Sequence, residues 1–303
     1  MNRRRSSVLL CAALLVSSGA LVSVMWRSAA LDLFTGPAGP TADPFLYIDT
    51  LLGPAGAVTI LPAKPGEPSG YTRIAPLAVP DGPRRVGIQA GHWMTDAVPA
   101  ELRRLEDQTG ASFAGYDEVD INVDIAERVA TLLRGEGLVV DVLPTAIPAG
   151  YVADAFVALH ADSDGVGDKS GFKIAHSVRR GPYEDRLQSD LTAEYAAATG
   201  LAYDSTGITR NMTNYFALNW ARFRSATSPF TPSVILEMGY ISNDGDRSVM
   251  IDRADTVARG IANGILRFLS EVPSSDIFGK DLVLPPVRAF PIPIVTATPT
   301  PGP

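Results

Sequence analysis

The sequence is poorest in sulfur and in imidazole. Cys11 is the only cysteine among 303 residues, and it lies inside an N-terminal apolar run. The rest of the chain therefore has no disulfide framework, no thiolate nucleophile and no sulfur ligand. Any metal centre must be built from His, Asp and Glu. Histidine is nearly as scarce: His92, His160 and His176 are all there are. Surplus positive charge is also missing. The chain has 33 acidic and 26 basic residues, and four of the basic ones fall in residues 1–30, so the remainder carries a formal charge of −11. With no basic patch interleaved with aromatics, such a chain is a poor nucleic-acid binder, and no nucleic-acid partner is expected. No internal repeat is present. Hydrophobic residues make up 46% of the sequence, enough for a sizeable core.

Glycine and proline are plentiful but unevenly placed, and they mark the boundaries. Residues 1–30 read as a signal peptide or an N-terminal membrane anchor. Arg3-Arg4-Arg5 precede residues 8–26, which carry no charge, and Ser28-Ala29-Ala30 resembles a small-residue cleavage site. The uncharged stretch is longer than an ordinary signal core and just long enough to span a bilayer, so both readings stand. Arginines before it place the bulk of the chain outside. Residues 31–83 form a Pro/Gly-rich spacer, with short strands expected at 57–61 and 71–74. Residues 271–303 end in alternating Thr and Pro and read as a disordered or extended tail from about 275 onward.

The globular pattern occupies residues 84–270. Apolar runs at 86–88, 138–143, 155–159 and 233–236 read as strands, and 171–176 as an alternating one. Ile121, Ile125, Val129 and Leu132 form a helical stripe, with Asp117 as its N-cap. Residues 187–199 and 256–269 are helical, the latter with Val257, Ile261, Ile265 and Phe268 on one side. Strands alternating with helices imply an α/β domain with a largely parallel sheet.

Four groups in this region carry chemistry. His92, His160 and Glu237 each follow an apolar strand or its turn, and Glu118 opens the first helix. In a parallel sheet all four positions share the edge where strands end and helices begin. Two histidines and a carboxylate suit zinc, with a fourth position open to water. Zinc makes such a water acidic and polarises a carbonyl, and a remaining carboxylate then serves as general base. Glu237, before what reads as a tight turn at Met238-Gly239-Tyr240, stands where that base is needed. Each residue also has a plainer reading: a hydrogen-bonded strand-end histidine, a helix N-terminal acid favoured by the dipole, or an exposed acid. Asn122, one turn after Glu118, is a candidate support for it. His176, followed by Ser177 and near Arg179-Arg180, reads as a surface or structural residue.

Gly91-His92, Glu118-Val119-Asp120-Ile121-Asn122, Leu159-His160-Ala161-Asp162 and Glu237-Met238-Gly239-Tyr240-Ile241-Ser242-Asn243 resemble, in this order, the zinc-dependent N-acetylmuramoyl-L-alanine amidases of the cell-wall hydrolase type. Gly171-Phe172-Lys173-Ile174 matches the strand after the second histidine. The resemblance implies a single three-layer α/β domain, mainly parallel, with helices on both faces, of phosphorylase/hydrolase-like form. It implies Zn2+ on His92, Glu118 and His160, and Glu237 as the catalytic carboxylate. The implied partner is peptidoglycan, cut between muramic acid and L-alanine, and the implied location is extracytoplasmic: secreted, in the wall, or anchored to the outer face of the membrane. The chain departs from the family at Gln89-Ala90, where Asp-Pro is usual, at Trp93-Met94, where glycines follow, and at Asp162, where Asn is usual. Residues 208–232, with Trp220, Arg222 and Arg224, match only loosely. A zinc amidohydrolase or peptidase acting on another exported substrate, and a non-catalytic wall-binding domain, are the alternatives.

Overall fold

The buried strands form where the apolar runs lie; those at 86–88, 155–159 and 233–236 extend beyond their runs, and those at 138–143 and 171–176 start later than expected. The computed structural model describes residues 58–285, all within one compact unit. The arginine-led apolar stretch and the terminal prolines lie outside the described residues. In chain order the strands are β1 (Ile60–Leu61), β2 (Thr72–Ile74), β3 (Arg85–Ala90), β4 (Ser112–Phe113), β5 (Tyr116–Asp117), β6 (Val139–Leu143), β7 (Ala155–Asp162), β8 (Lys173–His176), β9 (Ser233–Tyr240) and β10 (Leu282–Leu284). The helices are α1 (Glu118–Gly135), α2 (Glu184–Thr199), α3 (Arg210–Thr213), α4 (Asp244–Asp252), α5 (Ala254–Glu271) and α6 (Ser274–Ile277).

The central sheet has the order β6-β3-β7-β9-β8. β6, β3, β7 and β9 run parallel, and β8 closes the edge antiparallel to β9. The fold is thus a single α/β domain with a mainly parallel sheet. From β3 the chain moves outward through α1 to β6, then returns across β3 to β7. The strand order therefore reverses between β3 and β7, which makes the crevice there the topological switch point where such sheets bind ligands.

Side chains alternate between the two faces. Val86, Ile88, Val157, Leu159, Val234 and Leu236 are all buried, on the face covered by α1, α5 and α2. The opposite face carries Gly87, Gln89, Phe156, His160 and Glu237. It meets residues 144–154 and 208–232, through Tyr151 against Gly87 and Tyr215 against Gln89. The second helical layer is made of short turns, among them α3 and the 3-10 turns Ala100–Leu105 and Phe216–Leu218.

Several local expectations are corrected. Leu133 closes the buried stripe of α1, while Leu132 is 38% exposed. The stripe turns to include Ala126 and Ala130 because α5 packs beside α1 as well as the sheet. Asp117 occupies the N-cap of α1, but its side chain accepts from Ser112 Oγ at 2.5 Å and caps nothing. Met238-Gly239-Tyr240 is not a turn: β9 runs on to Tyr240, and the chain bends at Ile241. Buried Asp246 makes that extension possible, since its carboxylate accepts from Tyr240 N and Gly171 N at 2.9 and 2.8 Å. The expected tail from 275 contains the rest of α6 and all of β10. β10 pairs antiparallel with β2, which also pairs with β1, so the two proline-rich flanks form a small sheet of their own.

Candidate metal centre

β3 ends at Ala90, and the chain turns sharply from Gly91. His92 adopts φ 65°, a left-handed conformation rare for a non-glycine residue. The turn sends its ring back over the end of the sheet, where its Nδ1 lies 2.8 Å from the Gln108 carbonyl. Gly91 has to be glycine. A Cβ there would fall 2.3 to 2.6 Å from ring atoms of His160, which lies on the neighbouring strand. Gly110 closes the other side: a Cβ on it would lie 2.6 Å from Glu118 Oε2 and 2.9 Å from His92 Cδ2.

Glu118 is the first residue of α1, where the helix dipole favours an anion. It is only 5% exposed and is well satisfied. Its Oε2 accepts from Ala111 N at 2.9 Å. Its Oε1 accepts from Ala161 N at 3.2 Å and from Asn122 Nδ2 at 3.4 Å. Asn122 also donates to the Gly91 carbonyl at 3.1 Å, tying the helix to the turn that carries His92. Its own Oδ1 is buried without a partner.

Three ligand-type atoms meet at one point. Glu118 Oε1 lies 3.0 Å from His160 Nδ1 and 3.4 Å from His92 Nε2. The two imidazoles stand edge to face with centroids 4.9 Å apart. A tetrahedral zinc with ligand bonds of about 2.0–2.1 Å holds its ligand atoms roughly 3.3 Å apart. The donor set and both separations from Glu118 therefore fit zinc, all three ligand atoms lie within 4.8 Å of one another, and among the described residues this is the only such group of three.

The electrostatics of Glu118 and His92 agree with that use, while those of His160 favour a proton that a metal would have to displace. Burial opposes ionisation of Glu118, but the His160 hydrogen bond and both imidazoles outweigh it and hold its pKa at about 2. Burial lowers the pKa of His92, against the opposing charge of Glu118, and so favours the neutral ring that a metal requires. For His160, burial is outweighed by the Glu118 hydrogen bond and the charges of Glu237 and Glu118, and the pKa is raised.

His160 and Glu237 do not follow their strands; they lie inside them, in register on β7 and β9. Lys173 of β8 is in register with Glu237 on its other side. His160, Glu237 and Lys173 thus form one row across the sheet, on one face. Burial raises the pKa of Glu237, and the Glu118 charge adds to the shift, while His160 and Lys173 oppose it. Lys173 is 1% exposed. Its ammonium is clasped by Asp162 and by Tyr240 OH, over whose ring it sits at 4.5 Å.

The structure brings His92, Glu118, His160 and Glu237 to one place and leaves His176 out. That histidine, at the far end of β8, pairs with Asp185 at 2.9 Å. Sequence reasoning missed Lys173 and Tyr215. Tyr215 OH stands 3.0 Å from His160 Nε2 and 3.1 Å from Gln89 Oε1. It comes from an aperiodic segment that no pattern singles out. The one available signal was Gln89, a polar residue inside an apolar strand, which needs a buried partner.

A family model described as N-acetylmuramoyl-L-alanine amidase matches residues 86–267. No curated protein sequence matches the chain. Among solved structures, the chain is similar to an N-acetylmuramyl-L-alanine amidase from Mycobacterium smegmatis, at 21% identity and TM-score 0.48, over 62% of this chain and 97% of that one. It is similar to the catalytic domain of an amidase from Bacillus (Paenibacillus) polymyxa, at 23% identity and TM-score 0.41, over 62% and 98%. An amidase from Clostridium difficile 630 gives 15% identity and TM-score 0.46, over 63% and 99%.

Proposed function

The chain belongs to the N-acetylmuramoyl-L-alanine amidase family, and on that footing we propose that it is an exported zinc amidase. Its substrate is peptidoglycan, and the bond it cleaves is the amide between N-acetylmuramic acid and L-alanine. His92, Glu118 and His160 hold the metal, and Glu237 is the general base and acid. The observation that carries this reading is the approach of Glu118 Oε1 to His160 Nδ1 and His92 Nε2, at 3.0 and 3.4 Å, with Glu237 in register beside His160.

Bound zinc would supply Lewis acidity, polarising the amide carbonyl and acidifying the attacking water. The protein's own groups do the rest. Glu237 takes the water's proton at its carboxylate and returns it to the departing L-alanine nitrogen. Its raised pKa suits the return step, because a carboxyl that holds a proton more tightly is formed more readily at neutral pH. Asn122 and the Ala111 and Ala161 amides keep the Glu118 carboxylate aimed at the metal position. Export is supported by the arginine-led uncharged stretch at residues 8–26. Among the described residues no helix is long and apolar enough to cross a membrane.

The test is mass spectrometry of purified wall digested by the parent and by Glu237→Gln, with zinc measured in both. The parent is expected to carry about one zinc and to release stem peptides with a free L-alanine amine. Glu237→Gln should keep its zinc and lose activity by about 10²- to 10⁴-fold. Full lytic activity in that variant would remove Glu237 from the chemistry.

A further inference from the structure

We propose that Gln89 and Tyr215 form a directed hydrogen-bond relay that decides which nitrogen of His160 faces the metal, making Gln89 a positioning residue of the zinc site. The inference rests on the zinc reading above and extends it to residues on which that reading does not depend.

The relay starts at two backbone carbonyls. Gln89 is fully buried in β3, with its side chain on the face of His160. Its Nε2 donates to Thr145 O at 2.7 Å and lies 3.4 Å from Pro144 O. A carbonyl only accepts, so these two oxygens fix the orientation of the Gln89 amide. Gln89 Oε1 must then point the other way, where Tyr215 OH stands 3.1 Å from it. An amide oxygen has no hydrogen to give, so the single Tyr215 hydrogen is committed to Gln89. Toward His160 the Tyr215 oxygen can present only lone pairs. His160 Nε2, 3.0 Å away, must therefore carry the hydrogen. A neutral imidazole has one protonated and one bare nitrogen. In the neutral ring that a metal requires, the bare one is then Nδ1, the atom that lies 3.0 Å from Glu118 Oε1 and donates to that carboxylate when no metal takes the place of its proton.

Each link permits only one direction, and the start cannot turn over. Pro144 and Thr145 directly follow β6, and Thr145 N donates to Trp93 O at 2.9 Å, next to His92. The segment that orients Gln89 is thus also tied to the turn that carries the first histidine. The ring of Tyr215 is held independently, against Phe216 and edge to face with His160 at centroid distances of 4.7 and 5.3 Å. The relay also accounts for glutamine at position 89. An aspartate is one methylene shorter and only accepts when ionised, so it would turn an oxygen toward the Thr145 carbonyl.

The experiment measures zinc affinity of the full chain by competition with a chelator, for the parent, Tyr215→Phe, Gln89→Leu and the double variant. Each single change is expected to weaken zinc binding about 10- to 100-fold. The double variant should lose no more than the weaker-binding single variant, because both changes cut one relay. Nitrogen-15 spectra of the zinc-loaded parent should show the His160 proton on Nε2, protected from exchange, and Tyr215→Phe should lose that protection. Tyr215→Phe keeps the ring and its packing and leaves only the Gln89 Oε1 acceptor unpaired, so the zinc-free protein should still fold, with a melting temperature modestly below the parent's, even if Gln89→Leu folds poorly. Parent-like zinc affinity in Tyr215→Phe overturns the relay, and so does a proton on Nδ1 in the loaded parent. A parent that binds no zinc overturns the zinc reading together with the relay.

Discussion

At the residue scale the useful quantity is the pKa of Glu237. Burial holds it above the ordinary carboxylate value of 4.5, with Glu118 adding to the shift and His160 and Lys173 opposing it. As the proposed general base it works only when ionised, so activity should fall as pH drops through that raised pKa. The acid limb of the kcat/KM profile reports that group in the free enzyme, where the charge of a bound zinc would oppose the effect of burial. Lys173→Met removes a nearby positive charge that favours the carboxylate, so the limb should move to higher pH. A pH–rate profile of both proteins on solubilised wall checks this. An unmoved limb in Lys173→Met would mean that the in-register lysine does not act on Glu237.

At the element scale the site depends on how closely β3 and β7 meet beyond the last paired residues. Gly91 N donates to Leu159 O at 2.9 Å, which continues the pairing up to the ring of His160. The Gly91 Cα thus faces the imidazole with no room between. Gly91→Ala would place a methyl 2.3 Å from His160 Cε1, and neither strand can give way without losing ladder bonds. The ring must move instead. The expected outcome is a stability loss of about 1–3 kcal/mol from overpacking, with zinc affinity lowered at least tenfold. Gly135→Ala, at the end of α1 with nothing within 4 Å, is the control; it should be neutral or stabilising by up to about 1 kcal/mol. Calorimetry and chelator competition on the two variants separate the cases. Equal zinc affinity in Gly91→Ala and the parent would show that the ring has space the structure does not give it.

At the scale of the whole molecule, a buried acid far from the chemistry sets a pH dependence of folding. Glu184 opens α2 and is 6% exposed. Burial raises its pKa to about 7, although the amides of Gly181, Glu184 and Tyr183 and the charge of Arg180 all pull it down. The folded state therefore binds the proton more tightly than the unfolded chain, where the value is near 4.5. Below pH 4.5 both states are protonated and the folded state gains its full advantage. Stability is then lost as pH rises from 4.5 to 7, by roughly 3 kcal/mol in all. Glu184→Gln cannot ionise, so its unfolding free energy should be flat across that window where the parent's declines. Denaturant unfolding at pH 5 and pH 8 measures the difference. A parent equally stable at both, or a variant with the parent's slope, would contradict the assignment. The flanking sheet belongs to this scale as well. Arg73 of β2 is 8% exposed and pairs with Glu67 and with Asp281 beside β10, so the two flanks hold each other outside the matched region.

The sequence by itself determined the strands at Val86, Val157 and Val234, the helix at Glu118, and the candidacy of His92, Glu118, His160 and Glu237. It could do so because hydrophobic periodicity and residue scarcity are local properties. Three histidines and no usable cysteine leave few ways to build a metal centre. What local patterns do not contain, the tertiary structure decided. Only strand order placed His92 and His160 on either side of the switch point. Only register set Lys173 beside Glu237, since a shift of one residue would turn either side chain to the other face. Strand extension to Tyr240 required Asp246 to supply acceptors from a later helix, and no pattern in residues 238–240 announces that. Tyr215 reached His160 from an aperiodic stretch 55 residues further on, because the backbone carbonyls of Pro144 and Thr145 turn the Gln89 amide toward it.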